Sequence, residues 1–131
     1  MSSKKRIPIC VDFDGTCVEH KYPEVGNDVP HAVETLNRLH AEGFDIVLFT
    51  MRSGESLVHA VDWFADHEIP LIGVNVNPTQ KKWTQSPKAY GRYYVDDAAV
   101  GVPLIYPNTG RPYVDWLSVW DEIMLREDIE Q

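Results

Sequence analysis

The sequence Ile9-Cys10-Val11-Asp12-Phe13-Asp14-Gly15-Thr16 joins an apolar run to two closely spaced acids. Its apolar first half is typical of a buried β-strand, and because Asp is a poor strand residue the strand should end where the two acids begin. Gly15 provides the backbone freedom for a sharp turn. The stretch therefore predicts two carboxylates at the carboxyl end of a strand, which is where open α/β sheets bind their ligands.

The same residues have two other interpretations. Asp before Gly is ordinary turn chemistry, because an Asp carboxylate accepts hydrogen bonds from nearby backbone N–H groups. The motif also resembles the start of a calcium-binding loop, but the position that requires a chelating Glu is Pro23, which excludes that loop. The rest of the chain has to distinguish a turn from a site.

The chain length and the net charge limit the possible classes of protein. We predict a single domain over 1–131. The net charge of −8 opposes nonspecific binding to nucleic acid. A local basic cluster nevertheless surrounds Trp83, formed by Lys81, Lys82, Lys88 and Arg92. Because the chain has neither a membrane-length apolar run nor a signal peptide, we expect a cytoplasmic protein with no membrane partner.

Apolar segments of strand length alternate with segments of helical periodicity. Strands are predicted over 9–11, 45–50, 71–76 and 93–97, with a short fifth one over 104–106. Helices are predicted over about 32–41, from about 53 to before Pro70, and over about 114–126, with Asp28 capping the first. This alternation predicts an α/β fold, a three-layer Rossmann-like sandwich with a central, mostly parallel sheet and helices on both faces.

Parallel strands end at one edge of the sheet, so polar residues at their ends should meet. That edge is predicted to carry Asp12, Asp14, Thr50, Asp96 and Asp97. Three unrelated turns explain such a set poorly, and we therefore expect an active site.

The order of these residues resembles the haloacid dehalogenase-like (HAD) superfamily, whose members are mostly phosphatases. The first family motif, Asp-x-Asp-x-Thr after an apolar strand, matches Asp12 to Thr16. The second motif, a Thr or Ser that ends the next strand, matches Thr50, and the acids of the fourth match Asp96-Asp97. The third is a Lys before the last acidic strand, for which we choose Lys88.

The resemblance implies a Mg²⁺-dependent phosphohydrolase that acts on a phosphate monoester through an aspartyl-phosphate. Asp12 would be the nucleophile, and Asp14 would protonate the leaving oxygen and later activate water. Asp96 and Asp97 would complete the Mg²⁺ site with Asp12 and the backbone carbonyl of Asp14. Which of Asp96 and Asp97 is the direct ligand stays open.

The phosphoryl group needs hydrogen-bond donors and cations around it. The resemblance assigns this to Thr50 and Lys88, and Arg52 lies close enough in sequence to contact the substrate. Each has a plainer interpretation: Thr50 as a cap of the next helix, Lys88 and Arg52 as surface cations. Lys81 and Lys82 compete with Lys88 for the catalytic role.

The sequence leaves no room for the cap domain that many HAD proteins insert. Cap-less relatives tend to act on large substrates or to have a partner subunit over the site, so one expectation is a homo-oligomer.

We favour a small metabolite or nucleotide as the phosphorylated substrate, with nucleic-acid ends as the alternative. The motif order is less consistent with a receiver-like phosphoryl-binding domain, and the intact acids at every expected position are less consistent with a non-catalytic module. The five histidines show no metal-ligand spacing and are predicted to be surface or packing residues.

Overall fold

The computed structural model describes residues 5–130, with side chains for residues 5–128. Strands and helices alternate through most of the chain. In chain order the elements are β1 (Ile7–Val11), α1 (Ala32–Ala41), β2 (Phe44–Leu48), α2 (Gly54–Asp66), β3 (Leu71–Val74), a 3₁₀ turn (Pro78–Gln80), β4 (Tyr93–Val95), β5 (Leu104–Ile105), β6 (Tyr113–Val114) and α3 (Trp116–Glu130).

The four longer strands form one parallel sheet in the order β3-β2-β1-β4. The predicted α/β class with a central parallel sheet is thus confirmed. In the central strand β1, Val11 lies in register with Leu48 of β2 and Val95 of β4. The chain first proceeds outward from β1 to β3 and then returns to place β4 on the other side of β1. In open α/β sheets such a reversal of strand order opens a crevice that binds ligands.

The prediction of helices on both faces is wrong for the described part of the chain. Side chains on one face of the sheet, such as Ile9 and Ile46, share a buried core with residues of α1, α2 and α3. The opposite face is covered by residues 75–92, the crossover segment, whose Ala89 packs against Cys10. Crossover connections between parallel strands are right-handed. The connections from β1 to β2 and from β2 to β3 proceed in the same direction along the sheet, so they lie on the same face. The connection from β3 to β4 proceeds in the opposite direction and therefore lies on the other face. That return segment lacks the apolar periodicity of a helix.

One further prediction, the capping of α1, is wrong. Asp28 does not cap α1. The N-cap residue is His31, and the His31 side chain makes no capping hydrogen bond. The Asp28 carboxylate instead accepts a 2.8 Å hydrogen bond from the indole of Trp63 on α2. The predicted short fifth strand is confirmed as β5, which pairs antiparallel with β6 in a hairpin separate from the main sheet.

The strands of the sheet end earlier than predicted, at Leu48, Val74 and Val95. Thr50, Asp96 and Asp97 therefore lie in the loops just beyond the carboxyl edge, where their side chains are not constrained by strand alternation. Across residues 5–130, none of the helices combines the length and apolarity needed to cross a bilayer.

Candidate functional site

Three carboxylates meet at the carboxyl ends of β1 and β4. One oxygen of each of Asp12, Asp96 and Asp97 lies within 4.8 Å of the others. The sheet places them, because the Asp12 N–H donates to the Val95 carbonyl at 2.9 Å and so aligns the two strand ends. Clustered carboxylate oxygens are ligands for a hard divalent cation such as Mg²⁺. The donor set therefore fits the predicted metal site, although the chemistry of oxygen ligands does not single out Mg²⁺.

Proximity and burial change the acidity of this cluster. Burial, together with the negative charges of Asp96 and Asp97, raises the pKa of Asp12 from 3.8 to about 8. The pKa of Asp96 is also raised, first by burial and then by Asp97, while a hydrogen bond from the Ala98 N–H acts in the opposite direction. Like charges at this distance oppose ionisation of the whole cluster, and a bound cation would favour it.

The metal-free protein is expected to lose stability as the pH rises from about 4 to about 8. Folded Asp12 keeps a proton in this interval, whereas unfolded Asp12, with its pKa near 3.8, has lost it. A higher pH therefore favours the unfolded state. Thermal unfolding in a chelator at about pH 5 and pH 8 should show a drop that is smaller for Asp12→Asn, and an equal drop for both proteins would contradict this expectation. Added Mg²⁺ should stabilise the wild type most at the higher pH.

Asp14 lies outside the carboxylate cluster, in an ion pair with Arg52. The Nε and Nη2 atoms of Arg52 donate to the two carboxylate oxygens of Asp14, each at 2.8 Å. Arg52 is only 3% exposed, and its other N–H groups bind the carbonyls of Pro23, Glu24 and Ser56. All five donors of the guanidinium are thus used. This leaves none for a substrate, in contrast to the predicted substrate contact, and assigns Arg52 the positioning of Asp14.

Aromatic rings enclose the Arg52 guanidinium. Its carbon lies 5.0 Å from the ring centroid of Phe13 and 5.2 Å from that of Tyr22. Arg52 thereby joins the acidic motif, the loop over residues 17–29 and the start of α2. The sequence carried no signal for this contact, because Arg52 and Asp14 are 38 residues apart and belong to different predicted elements.

Three residues not assigned to the site by the sequence complete it. The buried Thr16 hydroxyl donates to Asp12 Oδ2 and accepts from the Asp97 N–H, both at 3.2 Å. His20 Nε2 lies 2.8 Å from Asp97 Oδ2, so the prediction of a surface or packing role is wrong for His20. Gly15 has φ +80°, and a Cβ there would lie 2.2 Å from His20 Nε2 and 2.4 Å from Asp97 Oδ2. Thr16 belongs to the motif Asp12 to Thr16, whereas nothing in the sequence indicated His20.

Cys17 is close to the acids but is not placed to react. Its thiol donates to the Asp12 carbonyl at 3.3 Å. Burial, reinforced by the charge of Asp12, raises the pKa of the Cys17 thiol well above its usual value. A protonated, buried thiol is neither a nucleophile nor a metal ligand.

Thr50 lies in the loop two residues beyond the end of β2, at the predicted edge of the sheet. Its N–H donates to Asn75 Oδ1 at 2.8 Å, and its hydroxyl oxygen accepts from the Arg52 N–H at 3.1 Å. The N-cap of α2 is Ser53, so Thr50 does not fill the capping role that was its alternative. Because its hydroxyl oxygen acts here as an acceptor, the Thr50 proton can be donated to a ligand.

Lys88 is exposed on the crossover segment, beside β4. Its Nζ lies 5.2 Å from the ring centroid of Tyr94, two residues before Asp96. Gln80 holds the backbone of Lys88 through a 3.0 Å hydrogen bond to its carbonyl. Among the described side chains, no ion pair joins Lys88 to an acid of the site. The structure thus brings Lys88 next to β4 without placing its ammonium on the carboxylates.

A solved structure of a conserved protein coded by a locus of Bacteroides thetaiotaomicron is similar to this chain. The two superpose with a TM-score of 0.76, are 33% identical in sequence, and match over 93% of each chain. Neither a protein-family model nor a curated protein matches the chain.

Proposed function

The chain belongs to the same protein family as this conserved Bacteroides protein, and we propose that it is a Mg²⁺-dependent phosphohydrolase with a HAD-like fold. The observation that carries the proposal is the cluster of Asp12, Asp96 and Asp97 at the point where strand order reverses. Asp14 stands two residues from Asp12 on the same loop. The proposal therefore assigns the metal to the three clustered acids and leaves Asp14 free for proton transfer.

Asp12 is the proposed nucleophile. Its carboxylate attacks the phosphorus of a phosphate monoester, the bond from phosphorus to the leaving oxygen breaks, and an aspartyl-phosphate forms. Attack of water on that phosphorus releases inorganic phosphate and restores Asp12. Mg²⁺, held by Asp12, Asp96 and Asp97, supplies positive charge that favours ionised Asp12 and offsets the charge on the phosphoryl oxygens.

Asp14 is the proposed general acid and base. It gives a proton to the leaving oxygen and later takes one from the attacking water. Each of its oxygens accepts one hydrogen bond from Arg52 in this structure, and the second lone pair of each oxygen is left for the transferred proton. The role of Arg52 is then to fix the direction of the Asp14 carboxylate rather than to bind phosphate.

Thr50 and Lys88 are proposed to bind the phosphoryl oxygens. Thr50 supplies a hydroxyl proton, and backbone N–H groups at the start of α2 follow closely in sequence; helix N-termini favour anions. Lys88 offsets the charge that spreads over the oxygens in a loose transition state. For Lys88 this requires its long side chain to turn from Tyr94 toward the acids.

A receiver-type domain is not favoured. Such domains place the phosphoacceptor acid on a strand later than the acidic pair, but here β3 is followed by Asn75, whose side chain binds the Thr50 backbone.

The proposal is tested by phosphate release from an aryl phosphate, from a panel of phosphorylated metabolites and nucleotides, and from oligonucleotides with 3′- or 5′-phosphates. We expect release with Mg²⁺ and none with excess chelator. Equal rates in the two conditions would contradict the proposal, as would the absence of release from every substrate by protein whose melting temperature Mg²⁺ does not change.

A further inference from the structure

We propose that the crossover segment forms a binding surface for single-stranded nucleic acid, whether or not the carboxylate site hydrolyses phosphate esters. The first observation is the distribution of charge. Between Glu68 and Asp96 the sequence contains no Asp or Glu, although the chain has 20 of them, and it contains four of the 12 Lys and Arg. This segment of a strongly acidic protein is therefore basic, and of its four cations Arg92 pairs with Glu127 of α3.

The second observation is that aromatic rings are exposed among these cations. Trp83, Tyr90 and Tyr94 are 63%, 39% and 37% exposed. The rings of Trp83 and Tyr90 meet edge to face with centroids 5.5 Å apart, and the ammonium of Lys88 lies over Tyr94. We call this set the crossover surface; it comprises Lys81, Lys82, Trp83, Lys88, Tyr90 and Tyr94.

Two buried amide side chains hold the backbone that carries this surface. Gln80 donates to the carbonyls of Ser86 and Lys88 and accepts from the Tyr90 N–H at 2.7 Å. Asn77 donates to the Tyr90 carbonyl at 2.8 Å. Beneath them, Ala89 packs on the sheet. The backbone that presents the rings and cations is thus ordered before binding, which reduces the entropy lost on binding.

Exposed rings beside lysines match the chemistry of a single strand. Unpaired bases stack on aromatic side chains, and Lys neutralises the phosphates between them. An acidic peptide would use the lysines but gain little from Trp83. The net charge of −8 opposes polyanion binding over the rest of the protein, so binding should be confined to this surface and should weaken steeply with salt.

The experiment is fluorescence anisotropy of a short labelled single-stranded oligonucleotide with hydroxyl ends, titrated with the full chain in a chelator at low salt. This probe offers no phosphate monoester, so the result does not depend on catalysis. We expect saturable binding that Trp83→Ala weakens by about tenfold. The double variant Lys81→Ala, Lys82→Ala should weaken binding further and reduce the slope of log affinity against log salt by about 1.4.

Matched controls come from the β5–β6 hairpin, where Tyr106 is 74% exposed and Arg111 is also exposed. Tyr106→Ala and Arg111→Ala should bind like the wild type. The proposal is overturned if the wild type fails to bind at low salt, or if Tyr106→Ala weakens binding as much as Trp83→Ala. It is also overturned if poly-glutamate competes with the oligonucleotide and binds equally well to wild type and Trp83→Ala, because the surface would then recognise acidic chains.

Discussion

Replacing Asp12 with Asn should lower kcat for phosphate release by at least about 10⁴-fold. An amide cannot attack phosphorus as a carboxylate does, so no aspartyl-phosphate forms. The substitution also removes one of the three charges that oppose each other in the cluster. The metal-free variant should therefore be more stable than the wild type at about pH 8, even though it is inactive.

The measurement is a steady-state assay on the substrate released fastest by the wild type, with melting curves for both proteins in chelator. Asp121→Asn is a matched control, because Asp121 is an exposed acid on α3, and it should keep wild-type activity. Equal rates for Asp12→Asn and wild type would rule out Asp12 as the nucleophile. A stabilised but inactive variant would separate loss of chemistry from loss of folding.

Replacing Arg52 with Met should destabilise the protein by about 3–5 kcal/mol. The substitution removes a buried guanidinium that pairs with Asp14 and binds three backbone carbonyls. A carboxylate and carbonyls that lose their donors in a partly buried setting carry the full cost of desolvation. Methionine restores apolar volume between Phe13 and Tyr22 but offers no donor.

Chemical denaturation with urea measures this loss, and Arg111→Met is the matched control. Arg111 is exposed, so its substitution should change the free energy of unfolding by less than about 0.5 kcal/mol. The loss of unfolding free energy for Arg52→Lys should lie between those of Arg52→Met and Arg111→Met. Lys keeps the charge but cannot bind both oxygens of Asp14 in a bidentate pair. A loss below about 1 kcal/mol for Arg52→Met would contradict the clamping role of Arg52.

Local patterns were sufficient to predict much of the fold. The apolar run before Asp12 and the similar runs before Thr50 and Asp96 predicted three of the strands and the edge at which they end. Strand formation depends on short stretches of apolar and β-branched residues, and those can be recognised one segment at a time. The convergence of Asp12, Asp96 and Asp97 follows from parallel pairing alone.

The faces of the sheet were decided by the tertiary structure. Alternating strands and helices suggest helices on both sides, yet α1, α2 and α3 share one core with a single face. The order of strands in the sheet determines which connection crosses which face, and pairing between distant segments sets that order. The crossover segment therefore covers the second face as a loop and exposes Trp83 there.

At the site, the positions of the acids depend on neighbouring residues, whereas the environments of the acids depend on the tertiary structure. The motif from Asp12 to Thr16 places its two acids by strand, turn and glycine, which are properties of neighbouring residues. The different environments of these acids depend on partners far away in sequence: Asp96 and Asp97 raise the pKa of Asp12, and Arg52 holds Asp14. Such contacts are selected by packing of the whole chain, because a buried guanidinium or a clustered carboxylate is stable only where the surrounding fold supplies its partners.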